Sequence, residues 1–271
     1  MYSKIALSIG GSDSGGGAGI QADLRTFMAL NVHGCSAITC ITAQNSIEVN
    51  CVEAIKKDTL ISQIETLFSD FNINALKTGM LLNESIINYT ASKLKTYSIP
   101  KIIDPVMVTR TGSKLLEDSA ISAYKKLLLP IADIVTPNIF EANLLSNLDI
   151  KNKEDIELSA QHIIELGAKA VLIKGGGLKD MQGKDFYFDD SGKRKWFINK
   201  FVNTKNTHGS GCTLSAGICG YLALGFDLIE SIKKAKVFIE RSLEKSYKIG
   251  SGPGPLGHCQ SPQEKFSEIK N

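Results

Sequence analysis

The residues best able to do chemistry in this 271-residue chain lie in the run Asn206-Thr207-His208-Gly209-Ser210-Gly211-Cys212-Thr213. Two glycines flank a single serine ahead of small and apolar residues that can wind into a helix, so backbone N–H groups can converge there on an anion such as a phosphate. Without a β-carbon at Gly209 or Gly211 the backbone can approach that anion closely, and the helix dipole adds positive potential. Cys212 falls in the first helical turn, where a thiol pKa is lowered. It is therefore expected to be partly thiolate near neutral pH and able to take a proton from an alcohol. An isolated Gly-x-Gly-Cys reads equally well as a helix entry with a buried, inert cysteine, so the rest of the chain has to decide.

Further polar residues fall at the ends of apolar runs. Asp104 follows Lys101-Ile102-Ile103 and precedes Pro105, where a carboxylate can hold Mg²⁺ through water or simply make a turn. Glu141 lies in a first helical turn, explained by the dipole or by a hydrated Mg²⁺ site shared with Asp104. Lys174 follows Ala170-Val171-Leu172-Ile173 and precedes three glycines, a position suited to phosphate. Gln44 closes a small and β-branched run, and its amide offers a heterocycle both a donor and an acceptor. The loop Gly10 to Gly17 leads into a helix in which Asp23 either faces a flat ligand or is solvated. Gly17-Ala18-Gly19-Ile20-Gln21-Ala22 loosely fits a dinucleotide-binding fingerprint. That reading lacks its ribose-binding acid, since no Asp or Glu occurs between Asp23 and Glu48.

Positioning these residues requires an alternation of strand and helix. Short apolar runs at 5–9, 33–43, 75–78, 101–103, 133–135 and 170–173 read as buried strands, the first ended by Gly10-Gly11. Helical spacing fits 20–28, 58–70, 83–97, 121–129, 154–166 and the stretch from Asp227 toward Gly250, with Asp227 and Glu230 as a capping pair. Segments 185–190 and 195–199 around Ser191-Gly192 read as an edge hairpin, and Gly250 to Leu256 as a non-helical tail bordering the nucleotide site. The pattern predicts one α/β domain over 1–271, a mostly parallel sheet with helices on both faces, and a ligand crevice along the strand C-termini. A glycine loop, two carboxylates, a lysine and a heterocycle pocket on one edge imply phosphoryl transfer.

Composition narrows the class. The chain is 43% hydrophobic and 22% charged with a formal net charge of +3, and its mixed signs leave no basic block for nucleic acid or a membrane surface. Six cysteines without a Cys-x-x-Cys pair favour reduced thiols and a cytoplasmic protein, with no disulfide or structural metal expected. The start of the chain offers only a five-residue apolar run, too short for a secretory signal. The charge-free stretch 207–226 is too interrupted by glycine for a membrane span.

The motifs Gly10-Gly11-Ser12-Asp13, Gly16 to Asp23, Ala43-Gln44-Asn45, Asp104 to Met107, Thr136-Pro137-Asn138, Lys174-Gly175-Gly176 and Asn206 to Thr213 occur together in one order. In this the chain resembles the hydroxymethylpyrimidine/phosphomethylpyrimidine kinases of thiamine biosynthesis, in the ribokinase-like superfamily. That resemblance implies a three-layer αβα sandwich and transfer of phosphoryl groups from MgATP to 4-amino-5-hydroxymethyl-2-methylpyrimidine and then to its monophosphate. It assigns Gln44 to the pyrimidine, with Gly11, Asp23, Met80 and Val106 beside it, and Gly209, Gly211 and Cys212 to an anion hole. Lys174, Asn138, Lys205 and Thr207 are assigned to the nucleotide, and Asp104 and Glu141 to Mg²⁺. Many sugar and pyridoxal kinases of the superfamily carry Asp where Cys212 stands. Ser251 stands where members of the resembled family often have His. The resemblance also implies a homodimer. The alternatives are a pyridoxal or pyridoxine kinase and, from another class, a non-catalytic pyrimidine or nucleotide sensor.

Overall fold

The computed structural model describes residues 4–107 and 116–258. Met1 to Ser3 and Cys259 lie outside them. Among the described residues nine strands form one sheet in the order β3-β2-β1-β4-β5-β6-β7-β8-β9. They are β1 (Ile5–Asp13), β2 (His33–Gln44), β3 (Val49–Ala54), β4 (Ala75–Thr78), β5 (Lys101–Ile103), β6 (Ile134–Val135), β7 (Ala170–Lys174), β8 (Lys184–Asp189) and β9 (Arg194–Ile198). The run from β2 to β7 is parallel, and the pairs β2–β3, β7–β8 and β8–β9 are antiparallel.

Adjacent residues of the central strands feed two separate cores, so these strands read as continuous apolar runs rather than alternating ones. Ala6, Ala75, Ile102, Ile134 and Leu172 pack under α1 (Gly19–Ala29), α7 (Ser210–Ala223) and α8 (Leu228–Glu244). Leu7, Leu76, Ile103, Val135 and Val171 pack on the other face. There they meet α2 (Lys57–Asp70), α3 (Glu84–Leu94), α4 (Asp118–Ala123), α5 (Ile139–Ser146) and α6 (Lys153–Glu165). The sheet is thus the middle of three layers, with the carboxyl ends of its parallel strands on one edge.

Local signals explain most element ends. Asp227 caps α8 by accepting the Glu230 N–H at 2.9 Å, and α6 stops ahead of Gly167, whose φ of 104° suits glycine. Two expectations change. Gly10 and Gly11 do not end β1, which continues to Asp13 through a register shift against β2. The stretch expected as a helix over 121–129 is α4 followed by a π turn (Tyr124–Leu128) and a 3-10 turn (Leu129–Ile131), in keeping with Pro130, which has no N–H to continue an α-helix. Strand β3 carries no periodic burial signal because all of its residues are exposed at the sheet edge.

Candidate active site

Two glycine loops dock at the carboxyl edge. Gly209 caps α7 in the left-handed region with a φ of 83°, and a β-carbon there would collide with the Gly17 carbonyl. Glycine at 209 thus serves contact between the loops. A β-carbon on Gly211 would stand 3.3 Å from Lys174 Nζ, so the lysine reaches the mouth of the Gly209–Gly211 loop. The first N–H groups of α7 have no partner within the helix. The tail crosses this loop, with the His208 N–H donating to Gly254 O at 3.1 Å and the Gly254 N–H to Asn206 Oδ1 at 3.0 Å.

Beneath the loops runs a row of alternating charges. Lys77 Nζ donates to both oxygens of Asp23, at 2.8 and 3.0 Å, and Ser8 Oγ donates to Asp23 Oδ2 at 2.6 Å. Lys77 also lies 4.0 Å from Asp104 Oδ2. Asp104 receives Lys174 Nζ at 3.3 Å and the Ser215 hydroxyl at 2.8 Å. Burial alone would raise the Asp104 carboxyl, yet Lys174, Lys77 and Ser215 outweigh it and hold the group below its ordinary range. Glu141 completes the row. Its carboxylate accepts the Asn138 N–H at 2.8 Å while Asn138 Oδ1 accepts the Glu141 N–H at 3.0 Å, a capping box that fixes α5. The Met107 N–H reaches its other oxygen at 3.3 Å. Burial pushes the Glu141 carboxyl up to about 7, and neighbouring Asp104 adds to the rise against the pull of Lys174.

A third group surrounds Asp13, whose carboxylate accepts N–H groups of Gly15 (2.8 Å), Gly17 (3.1 Å) and Ala18 (2.9 Å). His208 Nε2 lies 2.9 Å from Asp13 Oδ2 and 3.3 Å from the Gln44 amide. Burial would raise Asp13, but His208 and the loop N–H groups hold it low. Gly11 is pressed between Met80 and Cys40, where a β-carbon would come within 2.8 Å of Met80 Cε and 2.9 Å of Cys40 Sγ. Val106 has a φ of 43°, a strained setting for a β-branched residue of the kind that marks functional sites.

Most residues anticipated from the sequence therefore share one edge: Gln44, Gly11 and Met80 toward β1, β2 and β4, Asp104, Val106, Glu141, Asn138 and Lys174 toward β5 to β7, and Gly209, Gly211 and Cys212 in between. Some expectations are revised. Asp23 neither faces a ligand nor meets solvent, because it is 1% exposed and held by Lys77 and Ser8. The Cys212 thiol is not lowered. Burial pushes it up to about 11, against the pull of Lys77 and of the Gly19 N–H on its sulfur. Asn138 uses its side-chain oxygen to cap α5. Lys205 is exposed beside the loop, and the Thr207 carbonyl accepts the Ser210 N–H.

Lys77, Asp13, His208 and Ser215 had no role in the expectations from sequence. Asp13 and His208 sit inside motifs that carry the family resemblance. Lys77 has a signal of its own, a lysine in the fourfold buried run Ala75-Leu76-Lys77-Thr78, which demands a buried partner.

Among the described residues no group of three or more His, Cys, Asp or Glu could hold a metal ion. Asp104 and Glu141 nevertheless fit a hydrated divalent cation that shares its remaining positions with phosphate, since Mg²⁺ commonly takes only one or two protein carboxylates. A raised, buried carboxyl beside a second carboxylate is an arrangement that a cation would relieve.

The phosphomethylpyrimidine kinase family model matches residues 13–257. A hydroxymethylpyrimidine/phosphomethylpyrimidine kinase of Synechococcus elongatus is 47% identical over 260 residues, covering 95% of this chain and 98% of the relative. The ADP complex of Bacillus subtilis pyridoxal kinase superposes with a TM-score of 0.88 at 38% identity, covering 94% of this chain and 97% of that one. A phosphomethylpyrimidine kinase from Clostridium difficile superposes with a TM-score of 0.79 at 39% identity, covering 88% and 98%. The match over nearly the whole chain makes this protein a member of the phosphomethylpyrimidine kinase family, with a ribokinase-like fold.

Proposed function

We propose that the chain is a single-domain cytoplasmic enzyme that phosphorylates 4-amino-5-hydroxymethyl-2-methylpyrimidine and then its monophosphate with MgATP, supplying the diphosphate for thiamine biosynthesis. The observation that carries this reading is the adjacency of the Gly209–Gly211 loop to Lys174, Asp104 and Glu141 on the edge that also holds Gln44. Charge for the donor and an amide for the acceptor stand on one rim.

In this reading Gln44, Gly11, Met80 and Val106 hold the pyrimidine with its hydroxymethyl group toward Cys212. In the first transfer the alcohol oxygen forms the new bond to the γ-phosphorus as the bond to the ADP oxygen breaks, and the alcohol proton passes to the thiolate form of Cys212, the minor form at neutral pH. In the second a phosphate oxygen of the monophosphate attacks in the same way. Lys174 and the N–H groups of the loop take up the charge of the moving phosphoryl group, the main task in a loose transition state. Asp104 and Glu141 would hold Mg²⁺, which neutralises phosphate charge when bound. Asn138, Thr207 and Lys205 lie along the nucleotide side. Two copies assemble, with the exposed apolar residues Ile41, Ile47, Val49 and Val52 of the β2–β3 hairpin at the contact.

The test is a coupled ATP assay with the hydroxymethyl pyrimidine, its monophosphate and pyridoxal as rival acceptors. Turnover of both pyrimidines is expected, whereas pyrimidine binding without turnover would favour a sensor. Cys212→Ala should remove most activity without unfolding the protein, and near-normal rates would release Cys212 from its role. With its thiol at about 11, turnover should climb with pH through the neutral range, and the variant should lose that slope. A second reading, phosphorylation of pyridoxal, draws on the likeness to the B. subtilis pyridoxal kinase. The same assay decides it.

A further inference from the structure

Two polar neighbours bracket the Gln44 amide, and the role inferred for them rests on the proposed assignment of Gln44 to the pyrimidine. His208 Nε2 lies 3.3 Å from Gln44 Nε2 and 2.9 Å from Asp13 Oδ2. Thr42 Oγ1 lies 3.4 Å from Gln44 Oε1 and 3.0 Å from the Ser12 carbonyl.

The positions of the hydrogens are fixed by the partners. Asp13 accepts three backbone N–H groups and has no proton to give. A lone pair on His208 Nε2 facing that carboxylate would be repelled, so Nε2 carries a hydrogen whether the ring is neutral or cationic. An N–H cannot bond to an amide NH₂ across the same gap. The one hydroxyl hydrogen of Thr42 goes to the nearer Ser12 carbonyl and leaves the amide oxygen at 3.4 Å at most the weak arm of a shared bond.

Both conflicts vanish when the amide is turned over, because the order of its nearly isosteric oxygen and nitrogen is set by the hydrogen bonds around it. The oxygen then shares the His208 N–H with Asp13, the NH₂ donates to Thr42 Oγ1, and the Thr42 hydroxyl donates to Ser12. Every group is satisfied. The structure assigns to His208 and Thr42 the role of positioning residues that lock the Gln44 amide in one order, so that it selects an aminopyrimidine edge over the corresponding oxo edge.

The selectivity comes from the pattern each edge presents. An amino group beside a ring nitrogen offers a donor next to an acceptor. An oxo group beside a ring N–H offers the reverse. A free amide can turn to meet either one, whereas a locked amide meets one and leaves the other with unmatched donors and acceptors.

The experiment compares kcat/KM for the 4-amino substrate with that for its 4-oxo analogue in wild type, Thr42→Val, His208→Ala and Gln44→Ala, together with the KM for ATP. Wild type should prefer the amino compound. Thr42→Val and His208→Ala should each erode that preference about three- to tenfold, the worth of one neutral hydrogen bond, without moving the KM for ATP. Thr42→Val keeps a β-branched residue in β2, so it reports even if His208→Ala disturbs the loop. If these variants weaken both compounds equally, or if wild type has no preference, the locking role is overturned. If Gln44→Ala leaves recognition intact, the pyrimidine site itself is misassigned, and the failure lies in the proposed function rather than in the lock.

Discussion

The two halves of the carboxyl edge are built on opposite principles. Toward β5 to β7, Asp104, Lys174 and Glu141 form a charged cluster joined to the buried Lys77–Asp23 pair. Toward β1 and β2, Asp13 is satisfied by backbone N–H groups and by His208, which also faces the neutral Gln44 amide. A polyanion is best held by charge, which is strong and tolerant in direction. A flat neutral ring is best read by directed hydrogen bonds, which are weak and exacting. Cys212 stands between the halves, on the loop where a donor phosphate and an acceptor alcohol would meet.

The largest expected effect breaks the charged half. Lys174→Ala should lower kcat about 10²–10³-fold, as loss of one transition-state charge contact does, with little change in the KM for the pyrimidine. If steady-state kinetics move both substrates together, the halves are not separate. Next comes the neutral half. Asp13→Asn sets an amide NH₂ against the loop N–H groups and His208, and should cost about 1–3 kcal/mol of stability, read from the shift in denaturant midpoint.

The smallest effect is one of pH. Glu141 is pushed from the ordinary 4.5 up to about 7, so its favourable contribution is complete below 4.5 and is lost as pH rises through about 7. The Tm of metal-free protein should therefore fall over that window, at about 2–4 °C per kcal/mol for a chain near this size. Added Mg²⁺ should raise Tm more at pH 8 than at pH 6, and Glu141→Gln should flatten both trends.

Much of this site was legible in advance because its residues sit at boundaries that local sequence marks. Gln44, Asp104 and Lys174 each end an apolar run, and Glu141 lies three residues past an asparagine cap. What stayed hidden was pairing. Asp23 read as a ligand-facing or solvated residue because its partner Lys77 is 54 positions away. Strand β3 stayed hidden because an edge strand exposed on both faces has no periodicity to read.

The sequence by itself determined the order of strands and helices apart from β3, the placement of polar residues at strand ends and the glycine loop ahead of Cys212. Those features depend on neighbours within a few residues: periodicity, capping and the lack of a β-carbon. Only the tertiary structure decided that Lys77 neutralises Asp23 and approaches Asp104, that Asp13 joins His208 from 195 residues away, and that the Cys212 thiol rises instead of falling. Charge pairing and burial depend on distances across the folded chain, and the field at a buried atom is set by whichever groups the fold brings beside it.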